Sequence, residues 1–242
     1  PTIENPDEPD RLEILLRLRD PDSRKLIPPG AFLPAAERYG LSVELDKWVV
    51  QSLLDTLFIH SAFQAEQRSY WINLSGSSVG DKRFAEFLKN AIARSPLPPG
   101  TINFEITETA VIRSVSEAGD LMAALREMGC QFALDDFGSG LSSFGYLKKL
   151  PVDYLKIDGM FVRDLVNDQT DRIFVKSIID IAKTLNIKTI AEFVENEETL
   201  QIVTELGAGY AQGFAIGRPY ELAPRFPRTA NSEVAIFPAK TG

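Results

Sequence analysis

One cysteine, Cys130, and one histidine, His60, are all that this 242-residue chain has of either. A lone thiol excludes an internal disulfide and suits a reducing compartment. Zinc sites built on several thiolates or imidazoles are excluded with it. His60 falls at a helix end and reads as a surface residue. Any metal centre must therefore be built from oxygen, which selects Mg2+, Mn2+ or Ca2+. Basic excess is missing too. A net charge of −8 argues against duplex nucleic acid, whose binding needs a basic stripe. It leaves room for one small phosphate-bearing ligand, met locally by metal ions or a few Arg and Lys side chains. No apolar run approaches the roughly 18–20 residues that span a bilayer, and no signal peptide opens the chain. The expectation is a cytoplasmic domain that does not itself touch the membrane, whatever anchors its parent. The abrupt start at Pro1 reads as a piece excised from a longer protein.

What is present is ordinary globular composition, 44% hydrophobic and 25% charged, arranged as alternating elements. Strand-type runs occupy residues 12–18, 70–74, 102–107, 131–135, 154–157, 189–193 and 210–214. Apolar positions at three- and four-residue spacing predict helices over 31–39, 44–58, 84–93, 115–128, 171–185 and 197–206. Gly40, Gly129 and Gly207 stand where helix C-caps belong. Alternating strands and helices at roughly thirty-residue intervals imply βαβ units and a parallel sheet. The expected fold is α/β, a (β/α)8 TIM-like barrel, with the eighth strand missing or truncated before Pro1. An open doubly wound sheet is the other architecture, disfavoured because no Gly-rich phosphate loop follows the first strand. A single domain covers 1–242, and the Pro- and Arg-rich stretch 222–242 is expected to be an irregular tail.

Polar residues fall in one place on these strands. Each run is apolar until its C-terminal end, then shows Asn73, Glu105, Asp135 with Asp136, Lys156, Glu192 or Gln212. Glu13 comes early in its run, which would suit a strand running opposite to the others. In a parallel barrel these ends converge on the mouth where active sites lie. Any one of these side chains would pass as a cap, a turn former or a solvated ion pair. Seven successive strands repeating the pattern would not. Clustered carboxylates repel, and protons, basic side chains or metal must offset them. Glu13, Asn73, Glu105 and Asp135 would make a four-oxygen cage, and Asp135 with Asp136 would bridge a second ion roughly 3.5–4 Å away.

These residues resemble the EAL family of cyclic di-GMP phosphodiesterases. The match runs through Glu13-Ile14-Leu15-Leu16-Arg17, Asn73-Leu74-Ser75, Glu105-Ile106-Thr107-Glu108 and Asp135-Asp136-Phe137-Gly138-Ser139-Gly140. It continues through Lys156-Ile157-Asp158, Ala191-Glu192-Phe193-Val194-Glu195 and Gln212-Gly213-Phe214, in the family's order. The resemblance implies a barrel with one antiparallel strand that opens cyclic di-GMP to linear pGpG. It implies one or two Mg2+ or Mn2+ ions, Ca2+ being inhibitory, on Glu13, Asn73, Glu105, Asp135 and Asp136. Lys156, Glu192 and Glu13 take the catalytic positions, and Arg17, Leu16, Gln212 and Asp158 the substrate-contacting ones. Arg17 would grip a phosphate, as a planar guanidinium does well. Glu108 would anchor the loop 137–146, through which assembly is expected to reach the metal ligands. A homodimer is implied, joined in the parent chain to diguanylate cyclase and sensor domains. Three features depart from the pattern: Ile14 replaces Ala, Phe193 stands where Gly is usual, which puts the local backbone in question, and the family's first strand, which contributes a glutamine to the site, is expected to be absent. A barrel that holds cyclic di-GMP without cutting it is the competing reading. An unrelated metal-dependent enolising lyase is the third.

Overall fold

The computed structural model describes residues 10–59, 68–139, 144–220, 222 and 234–241. His60 and residues 140–143 of the expected anchored loop lie outside them. Strand β1 (Arg11–Arg19) is followed by the two-residue β2 (Leu26–Ile27) and by helices α1 (Pro29–Arg38) and α2 (Ser42–Ile59). Strand β3 (Ser69–Leu74) leads to α3 (Gly76–Val79) and α4 (Lys82–Arg94), and β4 (Ile102–Thr107) to α5 (Glu108–Arg113) and α6 (Val115–Arg126). Strand β5 (Phe132–Phe137) is joined through a 3-10 turn (Phe144–Lys149) to β6 (Tyr154–Ile157), then α7 (Gly159–Val162) and α8 (Gln169–Thr184). Strand β7 (Lys188–Ala191), α9 (Glu197–Leu206), β8 (Tyr210–Ala211) and β9 (Val234–Thr241) complete the order.

The sheet runs β9-β1-β3-β4-β5-β6-β7-β8, with β2 pairing at the far end of β1. The ladders along β1-β3-β4-β5-β6-β7-β8 are parallel, β9 lies antiparallel to β1, and the short β2 is antiparallel to the far end of β1. This is the TIM-like barrel with one antiparallel strand. Three expectations are corrected. The eighth strand, expected to be missing or truncated before Pro1, is supplied by β9. The strand carrying Glu13 runs parallel to β3, in register Glu13↔Trp71, and the antiparallel strand of the barrel is β9. Glu13 comes early because only Arg11–Ile14 pair with β3, while the rest of β1 runs on to meet β2. The stretch 222–242, expected to be irregular, contains β9.

Local chemistry explains the helices. Asp81 accepts from the Arg83 and Phe84 amides and starts α4, whose buried Phe84 and Leu88 lie one turn apart. Asp168 does the same for α8, which buries Val175, Ile178, Ile179 and Ala182. Gly207 ends α9 with φ 89°, a left-handed cap that favours glycine.

The barrel interior is layered by the two-residue period of strands. Trp71, Ala133, Tyr154, Ile190 and Tyr210 form one buried cluster. Arg11 joins it, its guanidinium 4.0 Å from the Tyr154 ring centre and 4.3 Å from that of Tyr210. Two residues further along each strand come the polar side chains of the mouth.

Candidate active site

The layer above Arg11, Trp71, Ala133, Tyr154, Ile190 and Tyr210 consists of Glu13, Asn73, Asp135, Lys156, Glu192 and Gln212, with Glu105 beside them. The structure joins them in one network centred on Lys156, which is 1% exposed. Its Nζ donates to Glu105 Oε2 at 2.7 Å. It lies 2.9 Å from Glu192 Oε1, 3.1 Å from Asp135 Oδ1 and 3.7 Å from Glu13 Oε2. Asn73 donates to Glu13 Oε1 at 2.7 Å, and Gln212 donates to Glu13 Oε2.

One ammonium cannot neutralise four buried carboxylates, and the acids respond unequally. Burial pushes Glu105 well above the ordinary carboxylate range, with Glu13 and Asp135 adding repulsion that Lys156 does not overcome. Burial likewise raises Glu192, to about 8, against the pull of Lys156. Glu13 goes the other way. Burial opposes its charge, but Lys156, Gln212 and Asn73 outweigh it. Burial opposes the charge on Lys156 as well, and the four carboxylates overturn that, holding it well above the usual lysine value.

Asp135 and Asp136 are consecutive, and on a regular strand they would face opposite sides. A one-residue irregularity lies here: Leu134 pairs with Leu155 but Phe137 with Ile157. Asp136 takes φ 54°, a left-handed conformation open to Asp at some cost. The result is a bulge that brings both carboxylates to one side. Ligand oxygens of Asp135, Asp136 and Glu192 then lie within 4.8 Å of one another. Burial and the neighbouring Asp135 raise Asp136. Surplus negative charge, buried oxygen donors and this convergence fit a hard divalent cation.

The remaining expected residues sit around this core. Arg17 is four residues beyond Glu13 on the same face of β1, and donates to the Leu16 carbonyl at 2.8 Å. Leu16 packs at the margin of the hydrophobic core. Asp158 caps α7, accepting from the Met160 amide at 2.8 Å. Glu108 is buried at the start of α5 and accepts from Gly138 N at 3.1 Å and from the Tyr146 hydroxyl. It thus holds both ends of the segment after Asp136. Asp46 escaped the sequence reading. From α2 it accepts the Ser75 amide at 2.8 Å, fixing the turn after Asn73. Burial raises its pKa despite bonds from Ser78 and Ser75. Nothing in the spacing of α2 marks it, because its partner is 29 residues away. Cys130 is buried, its thiol pushed up to about 12, and it takes no part. Among the described residues, no helix is long and apolar enough to cross a membrane.

Residues 6–219 match the family model described as EAL domain. The chain is 43% identical over 213 residues to the cyclic di-GMP phosphodiesterase PdeB of Shewanella oneidensis, covering 88% of this chain and 25% of that protein. It is 36% identical to the bifunctional diguanylate cyclase/cyclic di-GMP phosphodiesterase MucR of Pseudomonas aeruginosa, covering 86% of this chain and 30% of that one. The chain therefore spans between a quarter and a third of the length of these relatives. The crystal structure of the FimX EAL domain from Pseudomonas aeruginosa bound to c-di-GMP superposes with a TM-score of 0.81 at 31% identity, over 89% of this chain and 85% of that one.

Proposed function

The chain belongs to the EAL domain family, and we propose that it hydrolyses cyclic di-GMP to linear pGpG with the help of divalent metal. The observation that carries this is the gathering of four carboxylates around Lys156 at one mouth of the barrel, at the positions of the family's motifs. Glu13, Asn73, Glu105 and Asp135 would hold one Mg2+ or Mn2+, and Asp135 with Asp136 a second, Glu192 completing the shell. Ca2+ would occupy the cage and inhibit. Bound there, a divalent ion acidifies water and neutralises charge on phosphate oxygens.

The protein's own groups do the rest. Arg17 grips a phosphate of the ligand, and Leu16, Gln212 and Asp158 set its position. Lys156 keeps its proton at Nζ and presents a fixed positive charge where the phosphoryl oxygens become more negative. Glu192, its Oε1 2.9 Å from Lys156 Nζ, is placed to accept a proton from water in its ionised form. The water oxygen bonds to phosphorus, the bond from phosphorus to the 3′ oxygen breaks, and that oxygen takes a proton. One ring linkage is opened and pGpG leaves. Glu108 fixes the segment after Asp136 so that the two aspartates keep their geometry.

Incubation with cyclic di-GMP and Mg2+ or Mn2+, followed by chromatography, tests the reading against a Glu13→Ala control. Conversion to pGpG by the unaltered chain alone supports it. Tight binding without conversion would replace it with the receptor reading. The domain is further proposed to act in the cytoplasm as a homodimer, fused to cyclase and sensor domains. The name of the MucR relative supports the cyclase fusion. Exposed Met160, Ile173 and Phe174 on α7 and α8 support self-association. Sedimentation as a monomer at micromolar concentration would remove the dimer.

A further inference from the structure

Phe193 directly follows Glu192 and takes φ 53°, a left-handed conformation that a side-chain-bearing residue enters only at a cost. The backbone on either side is tied to a different neighbour. The Glu192 amide donates to Ile157 O on β6 at 3.3 Å, and the Val194 amide donates to Gln212 O beyond β8 at 2.9 Å. Phe193 is the residue that turns between these two bonds. The residue is 43% exposed, and its ring lies against the bare Cα of Gly159, the first residue of α7. A Cβ added at Gly159 would come within 2.0 Å of the ring's Cδ2. The Arg163 guanidinium carbon lies 4.0 Å from the ring centre. The one-turn helix that Asp158 caps thus packs against the exit of β7 through this aromatic ring.

We propose that Phe193 is a positioning residue: its left-handed turn, with the ring seated on Gly159 beneath Arg163, locks Glu192 to the turn that follows Lys156. The 2.9 Å approach of Glu192 to Lys156 depends on that lock. The catalytic part of this inference rests on the phosphodiesterase reading; the mechanical part does not. A residue meant only to cover α7 would have no reason to adopt a strained backbone between two metal-facing strand exits.

The test is a cycle of Phe193→Gly, Gly159→Ala and the double variant, with Phe193→Tyr as the ring-preserving control. Three quantities are measured: melting temperature in EDTA, Mn2+ affinity by calorimetry, and kcat and KM for cyclic di-GMP. Phe193→Gly should weaken Mn2+ binding and lower kcat by about tenfold or more, as loss of a residue that orients metal ligands does, with KM moving much less. Phe193→Tyr should stay near the unaltered protein. Gly159→Ala should reproduce the defect in the natural background and add nothing in the Phe193→Gly background. Unchanged Mn2+ affinity and kcat in Phe193→Gly would overturn the proposal, as would equal damage from Gly159→Ala in both backgrounds. Failure of the unaltered protein to cut cyclic di-GMP would sink the phosphodiesterase reading and leave Mn2+ affinity to judge the lock. If Mn2+ does not bind either, additive melting shifts overturn it and non-additive ones support it.

Discussion

Replacing Lys156 with Met keeps the length of the side chain and removes the charge at the centre of the acid layer. The four contacts, at 2.7, 2.9, 3.1 and 3.7 Å, are each worth about 4–6 kcal/mol before solvation at an effective dielectric of about 20. Burial of the ions cancels most of that sum. What the substitution exposes is the cost of unpaired buried carboxylates, about 3–5 kcal/mol when one partner of a buried pair is deleted. In a chain of 242 residues, that corresponds to melting about 6–20 °C lower. The sign with pH follows from the acids. Glu192, raised to about 8, and Glu105, raised well above the ordinary carboxylate range by burial, carry protons at low pH and need little compensation. The gap between Lys156→Met and the unaltered protein should therefore widen from pH 6 to pH 9. Mn2+ at about 100 times its dissociation constant contributes about 2.7 kcal/mol, and should narrow the gap by supplying the missing charge. Calorimetric melting in EDTA and in Mn2+ measures all three effects. A variant melting within about 2 °C of the parent in EDTA at pH 8.5, against the expected loss, would refute the account of Lys156 as the counter-ion.

Metal binding should itself depend on pH. The raised acids Glu105 and Glu192 contribute apo-state stability that is complete below the ordinary carboxylate range and is lost as pH rises towards about 8. An incoming cation must displace those protons, so affinity should climb by up to about tenfold per pH unit for each proton released, the Glu192 contribution levelling above about 8. A flat affinity between pH 6 and 8.5 in calorimetry would contradict this. Glu108→Ala strips the acceptor from Gly138 N and the Tyr146 hydroxyl. Metal affinity should fall about tenfold while the circular dichroism spectrum stays native, and unchanged affinity would count against a role for the anchor. Asp81→Ala removes the cap of α4 and should cost about 1 kcal/mol, read as a small drop in melting temperature with metal binding intact. A loss above about 3 kcal/mol would mean that Asp81 does more than cap.

The strands and helices were legible because their periods are local. Residues 102–107 and 154–157, taken from the sequence as strand runs, are β4 and β6 to the residue, and 197–206 is α9. The mouth residues were legible for the same reason, since a polar side chain ending an apolar strand marks the rim. What the sequence hid was set by partners far along the chain or by backbone handedness. The direction of β1 could not be read from Glu13 alone, because its early position reflects pairing with β2 beyond the rim. Asp135 and Asp136 looked like adjacent ligands, yet a regular strand would have separated them. Only the bulge with φ 54° at Asp136 unites them. Strand β9 stayed invisible because its Pro238 reads as a breaker, although it lies opposite Ile14 in the ladder. Phe193, standing where Gly is usual, raises a question about the local backbone from sequence alone; the fold answers it with a positive φ.

Arg11, Trp71, Tyr154 and Tyr210 fill the lumen directly beneath the acids. They make the barrel a cul-de-sac. Among the described residues the acids are then open only on the mouth side, and under the proposed chemistry ions, water, ligand and product would share that doorway. A chelator, an inhibitory cation and a departing product would all compete for the same passage. The side chains lining that rim, rather than those gripping the metal, then set how fast the site can be emptied and refilled.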